Sequence, residues 1–251
     1  MIHVHDFHKA YEDTVAVAGL SFDAAPGHIL GLVGPNGAGK TTTLRTLSCL
    51  LTASRGQLSV GGCDVAADPI AVKRKLAYIA DDPQLFNDLT VDEHLAFVAS
   101  AYEVDDAPHK ADALLVDFEL EAKRHTPAGD LSRGMRQKLA IICAYLRDPV
   151  ALLFDEPLTG LDPHGIQKLK QSIRERAEQG AAVIVSSHLL AMVEDLCTHV
   201  LILKSGRQNF YGTIDELRSE FMTDNEPLTL ERIFFLATER NVTDAAELAT
   251  S

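Results

Sequence analysis

The sequence predicts an α/β fold organised on a mainly parallel sheet, and three observations predict it. A glycine-rich loop at residues 34–41 stands directly between an apolar run, residues 29–33, and a helix-favouring segment, residues 40–51. Further on, three β-rich apolar runs at 150–154, 182–185 and 200–203 recur with helical stretches between them. That is the pattern of strands buried on both faces of a parallel sheet. The chain of 251 residues lies near the upper end of what one core supports, so one domain with a lobe is expected rather than two independent domains.

The elements follow in order. Strand-like runs alternating with turns fill the first third, and His3 and His5 would share one face of an N-terminal strand. With His8 they suggest a metal site, but no cysteine or other ligand group supports it, and a solvated strand is the expectation. Residues from about 70 to 148 read as predominantly helical, with a capping box at Thr90-Val-Asp-Glu93 ahead of the apolar positions Leu95 and Val98. Between the runs at 150–154 and 182–185 a helix is well signalled. Asp162 caps it, Pro163 suits its first turn, Ile166, Leu169 and Ile173 share a face, and Gly180 ends it. A polar break near 218–225 precedes a last helical segment around 230–238. The division expected is an α/β core at 1–80 and 149–205, a helical lobe at 81–148 and a C-terminal extension at 206–251.

Composition narrows the partners. Lysine and arginine number 23 against 36 acidic residues, a net charge of −13, which argues against a nucleic-acid partner. The apolar stretches at 141–146, 150–154 and 181–185 are far shorter than a bilayer span. No positive region followed by an apolar run opens the chain, so no secretory signal is expected. Cys49, Cys63, Cys143 and Cys197 form no CxxC pair, which fits reduced thiols in a cytoplasm.

The loop Gly34-Pro-Asn-Gly37-Ala-Gly39-Lys40-Thr41 matches GxxxxGK[ST] in full, in the strand-to-helix context that gives the motif its meaning. Its glycines let backbone N–H groups face phosphate oxygens, and the helix start adds partial positive charge. Lys40 would reach the β- and γ-phosphates, and the Thr41 hydroxyl would join a Mg²⁺ shell. Asp155 and Glu156 end the run at 150–154, where ligands gather in open α/β sheets. Asp155 would hold Mg²⁺ and Glu156 would take a proton from an attacking water.

Leu131-Ser132-Arg133-Gly134-Met135 resembles the LSGGQ signature of the ATP-binding cassette (ABC) family, some twenty residues before the acidic pair. The resemblance spans Tyr11 to His188 and implies a P-loop NTPase core with a mainly parallel sheet, an N-terminal antiparallel β subdomain and an inserted α-helical subdomain. It implies ATP and Mg²⁺ as cofactors, with nucleotide contacts from Gly34, Pro35, Asn36, Gly37, Ala38, Gly39, Lys40, Thr41 and Thr42. Ser132 and Gly134 would bind the γ-phosphate held by a second copy, Asp162 would touch the opposite site as the D-loop aspartate, His188 would be the switch histidine, and Tyr11 would lie on adenine. The membrane partner would dock near 81–90.

The sequence departs from the family pattern at a few positions. Asp81 stands where a metal-contacting glutamine is usual, with Gln84 a less well spaced alternative, and a carboxylate there would still bind Mg²⁺. Arg133 replaces the first signature glycine and Met135 the glutamine, a variation of bacterial export-type cassettes. The implied function is an ATP-hydrolysing subunit that drives a separate polytopic membrane subunit from the cytoplasmic face of the inner or plasma membrane. It would pair with itself or a homologue and bind no nucleic acid. The alternative is a soluble ABC ATPase of translation, repair or chromosome handling, but such relatives usually carry paired cassettes, long coiled coils or zinc insertions, and this sequence shows none of them. A GTPase would need NKxD, which does not occur.

Overall fold

The computed structural model describes residues 1–221 and 230–239. The chain opens with a hairpin of β1 (Ile2–Tyr11) and β2 (Thr14–Ala24), passes through β3 (Ile29–Val33) and α1 (Lys40–Leu47), then returns with β4 (Arg55–Val60) and β5 (Cys63–Asp64). β2-β1-β4-β5 make an antiparallel sheet. Alternation in β1 sets its faces, with Ile2 and Val4 buried and His3 and His5 outside. His3 is paired with Asp23, and His8 with Asp6.

After α2 (Pro69–Lys75) comes β6 (Leu76–Ile79), a strand inside the stretch expected to be predominantly helical. Four apolar residues are too short for periodicity to separate strand from helix, and pairing with a neighbouring strand decides it. The helical lobe follows with α3 (Val91–Tyr102), α4 (Ala107–Asp117) and α5 (Arg133–Leu146). The capping box is present at its start, with Thr90 Oγ1 accepting from Glu93 N–H and Glu93 Oε2 accepting from Thr90 N–H. Leu95 is buried and Val98 packs against the same core.

The second half supplies β7 (Ala151–Asp155), α6 (Pro163–Glu178), β8 (Ala182–Ser187), α7 (Leu190–Leu196), β9 (His199–Lys204), β10 (Arg207–Thr213), α8 (Ile214–Phe221) and α9 (Leu230–Glu239). The second sheet runs β10-β9-β3-β8-β7-β6, parallel throughout except for the β10 edge. The predicted runs at 150–154, 182–185 and 200–203 are therefore β7, β8 and β9. Asp162 caps α6 by accepting from Gly165 N–H at 2.7 Å. Two expectations shift at their ends. α1 stops at Leu47 because Cys49 takes a left-handed conformation, φ +58°, and α8 carries helix through part of the expected polar break, the remainder of which lies outside the described residues.

Strand alternation divides the interior. Leu30, Leu32, Leu153 and Ile184 face the antiparallel sheet with Ile2, Phe7 and Phe22, while Ile29, Phe154, Val183 and Val185 face α5, α6 and α7. β3, β8 and β7 lie side by side in one direction, so their C-terminal ends open together. No helix among the described residues is long and apolar enough to cross a membrane.

Candidate functional site

Residues 34–41 leave the end of β3 and wrap into α1. Close approach explains the first glycine: a Cβ on Gly34 would lie 2.4 Å from the Leu203 carbonyl oxygen. Gly39, the N-cap of α1, needs its φ of +102° and would meet the Ala16 carbonyl oxygen at 2.8 Å. Lys40 curls back over the loop, donating from Nζ to the carbonyls of Gly34 (2.7 Å) and Pro35 (3.3 Å). Burial lowers its pKa, and the carboxylates of Glu156 and Asp155 act against that. The cleft beside it, about 330 Å³, is lined by residues 36–42, by Thr14, Val15 and Ala16 of β2, and by Glu156.

Asp155, at the end of β7, is buried and accepts three hydroxyl bonds. Thr41 Oγ1 (3.2 Å) and Ser186 Oγ (2.6 Å) reach Oδ1, and Tyr78 OH (3.1 Å) reaches Oδ2. Burial first, and then the Asp155 charge, push the Tyr78 hydroxyl up to about 12, so it stays a donor at any physiological pH. Sequence reasoning gave no role to Tyr78, Ser186 or Val15. Ser186 was visible only as one of the serines ending an apolar run.

Glu156 follows with φ +48°, a left-handed conformation that β-carbon residues rarely adopt. Its N–H is held by the Ser186 carbonyl (3.2 Å) and hydroxyl (3.1 Å). Its carboxylate meets His188 Nδ1 at 2.8 Å. Thr41, Asp155, Glu156 and His188 are thus joined through neighbouring strand ends, and Lys40 shares the cleft with Glu156.

The remaining expected residues lie elsewhere. Ser132 caps α5, its hydroxyl accepting from Met135 N–H at 3.3 Å. Gly134 sits against the loop carrying Gly160, where a Cβ would come within 2.7 Å of the Gly160 carbonyl oxygen. Ser132, Gly134 and Asp162 do not line the cleft. Tyr11 stands at the end of β1 with Lys9 Nζ 4.8 Å from its ring centre, and Val15 rather than Tyr11 borders the cleft. Asp81, expected to be a metal ligand, is paired with Arg133 at 3.0 Å, and Gln84 bonds Asp82 within the same loop. In that loop Phe86 is exposed and packs edge-on against exposed Phe97, 5.5 Å between centres. Buried His94 pins it, accepting from Phe86 N–H at 3.0 Å through Nε2.

A family model described as ABC transporter matches residues 17–159. The chain belongs to the ABC transporter family. The chain is 35% identical to the ABC-type transporter ATP-binding protein EcsA of Bacillus subtilis (strain 168) over 223 residues, 88% of this chain and 90% of that one. It is 34% identical to the SkfA peptide export ATP-binding protein SkfE of the same strain, over 88% of this chain and 93% of the relative. A solved ATP-binding subunit of an ABC transporter superposes with a TM-score of 0.90 at 33% identity, covering 95% of this chain and all of the other. A bacterial ABC transporter cassette solved as a dimer shares the fold, with a TM-score of 0.78 at 23% identity over 85% of this chain and 99% of that one. As a member of the ABC transporter family, this chain is the ATP-binding and ATP-hydrolysing subunit of a transporter. The non-transport alternative finds no support in these relatives.

Proposed function

We propose that the cleft beside Lys40 takes the phosphates of Mg²⁺-bound ATP and that two copies, or this chain and a homologue, close head to tail around two nucleotides. The observation that carries this reading is the separation of the expected contacts. Residues 36–42 and Glu156 line one cleft, whereas Ser132, Gly134 and Asp162 lie outside it, so one chain offers two unlike half-sites. In the closed pair, Ser132 and Gly134 of one copy face the γ-phosphate held by the amides of residues 34–42 in the other, with Asp162 across the interface.

The donor set fits the metal: Thr41 Oγ1 and Asp155 Oδ1 stand 3.2 Å apart, and hard oxygen ligands are what Mg²⁺ requires. Bound there, the ion supplies charge neutralisation on the phosphate oxygens. Lys40 adds a cation whose desolvation strengthens its pull on phosphate. Glu156 accepts the proton of the attacking water, and His188, 2.8 Å from the Glu156 carboxylate, contacts the γ-phosphate. Tyr11, paired in the hairpin with Thr14 of the cleft's rim, we keep at the base end of the nucleotide.

The chain works as one ABC domain, with the helical lobe carrying the contact to a separate polytopic membrane subunit through the Phe86 loop. It sits peripherally on the cytoplasmic face of the membrane, and with a net charge of −13 it takes no nucleic acid. We read the direction as export, the role for which SkfE is named.

The test is Glu156→Gln. ATP binding is retained, turnover falls by about 10²–10⁴, and sedimentation with ATP shows a dimer. Undiminished hydrolysis rejects Glu156 as base, and a protein that stays monomeric with ATP rejects the head-to-tail pair. Recovery of a polytopic protein with the tagged chain from solubilised membranes checks the partner.

A further inference from the structure

Arg133 is the first residue of α5, and its side chain joins segments far apart in sequence. Its Nη2 donates to Asp81 Oδ1 at 3.0 Å, in the loop that leads from β6 into the helical lobe. Its aliphatic stem runs across Gly160: a Cβ built there would lie 3.0 Å from Arg133 Cδ and 3.1 Å from Cγ. Gly160 has φ +83° and stands between Glu156 and the α6 cap Asp162, while a Cβ on the next residue of α5, Gly134, would lie 2.7 Å from the Gly160 carbonyl oxygen.

One turn further along the same face of α5 lies Gln137. It is buried, and neither its amide nitrogen nor its oxygen has a hydrogen-bond partner. A buried amide of that kind contributes no directional bond to hold the helix. The body of α5 is seated by apolar burial, with Leu139, Ile141 and Ile142 inside the core, and at its first turn Arg133 adds a charged contact that has direction.

We propose that Arg133 is a positioning residue for ATP hydrolysis: lying over Gly160 and paired with Asp81, it sets where Ser132 and Gly134 stand relative to the strand end that carries Glu156. This rests on the reading of Ser132 and Gly134 as nucleotide contacts, and it gives Asp81 the role of an anchor for Arg133 instead of a metal ligand. The pair is about half exposed on both sides, so its effect is modest, of the size of a surface ion pair, about two- to fivefold in rate.

The experiment is steady-state hydrolysis by the full-length chain, with ATP and Mg²⁺ varied separately, for Asp81→Ala, Arg133→Ala, the double alanine variant, the charge swap Asp81→Arg with Arg133→Asp, and Arg133→Lys. Each single alanine lowers kcat about two- to fivefold and leaves the KM for ATP and the Mg²⁺ requirement unchanged. The double variant loses no more than either single, and Arg133→Lys or the swap recovers activity. Full additivity in the double variant overturns the proposal, as does an unchanged rate in both singles. An Asp81→Ala defect that extra Mg²⁺ relieves also overturns it and makes Asp81 a metal ligand. Should the swap fail to fold, the alanine cycle and Arg133→Lys still decide. Ser132→Ala, run alongside, separates the two readings: a Ser132→Ala protein that splits ATP at the parent rate removes Ser132 as a nucleotide contact, whatever the Arg133 cycle gives.

Discussion

Glu156 is bound at both ends, its carboxylate 2.8 Å from His188 Nδ1 and its left-handed backbone, φ +48°, clamped by Ser186. Strain of this kind costs about 1–3 kcal/mol and persists where surrounding structure imposes it. Glu156→Gly accordingly keeps the fold and gains up to about 1 kcal/mol of stability, while hydrolysis falls by at least about 10²-fold. Calorimetry beside a phosphate-release assay checks both, and a lowered thermal midpoint contradicts the strain.

Ser186 serves two neighbours at once, giving its proton to Asp155 Oδ1 at 2.6 Å and receiving the Glu156 N–H at 3.1 Å. Ser186→Ala strips a buried carboxylate of one donor. The expected cost is about 1–3 kcal/mol in urea unfolding, with slower turnover because Asp155 and Glu156 both shift. A loss below about 0.5 kcal/mol would show that the hydroxyl is not needed there.

Gly34 and Gly37 differ in what surrounds them. A methyl at Gly34 meets the Leu203 carbonyl oxygen at 2.4 Å, whereas at Gly37 it meets nothing within 4 Å and only φ +79° resists it. Gly34→Ala therefore costs about 2 kcal/mol or more and moves the loop off β9, abolishing nucleotide binding in titration calorimetry. Gly37→Ala costs about 1 kcal/mol and leaves a folded protein. Equal stability of the two variants would contradict the close approach.

His28 and His199 stack with ring centres 3.9 Å apart and planes 17° from parallel, and burial, then the His28 ring, lower the His199 pKa below its usual 6.5, with Glu216 opposing. The unfolded chain thus takes up the proton first as the pH drops. The stability tied to a neutral His199 is complete above pH 6.5 and declines below it. Thermal midpoints at pH 7.5 and about 5 fall less in His199→Gln than in the parent. An equal or steeper fall in the variant refutes the assignment.

What could be read before folding was local. Thr90 with Glu93, Ser132 with Met135, and Asp162 with Gly165 are caps spanning three residues each, and the phosphate loop is a contiguous motif, so residue order alone displays them. Contacts made by the sheet were not legible. Tyr78 reaches Asp155 across 77 residues and Ser186 reaches it across 31, and neither pairing leaves a spacing signal. β6 was hidden because four apolar residues carry no period. Arg133 and Asp81 each stood out as a departure from the family pattern, but their 52-residue separation gave no reason to connect them, and only the fold brings the departures into one ion pair.

The ammonium of Lys40 rests on the carbonyls of Gly34 and Pro35. Two of its three N–H bonds are thereby spent on neutral oxygens and one is left over. The cation is thus held in place before any phosphate arrives, so little side-chain freedom remains to be lost when an anion takes the spare donor.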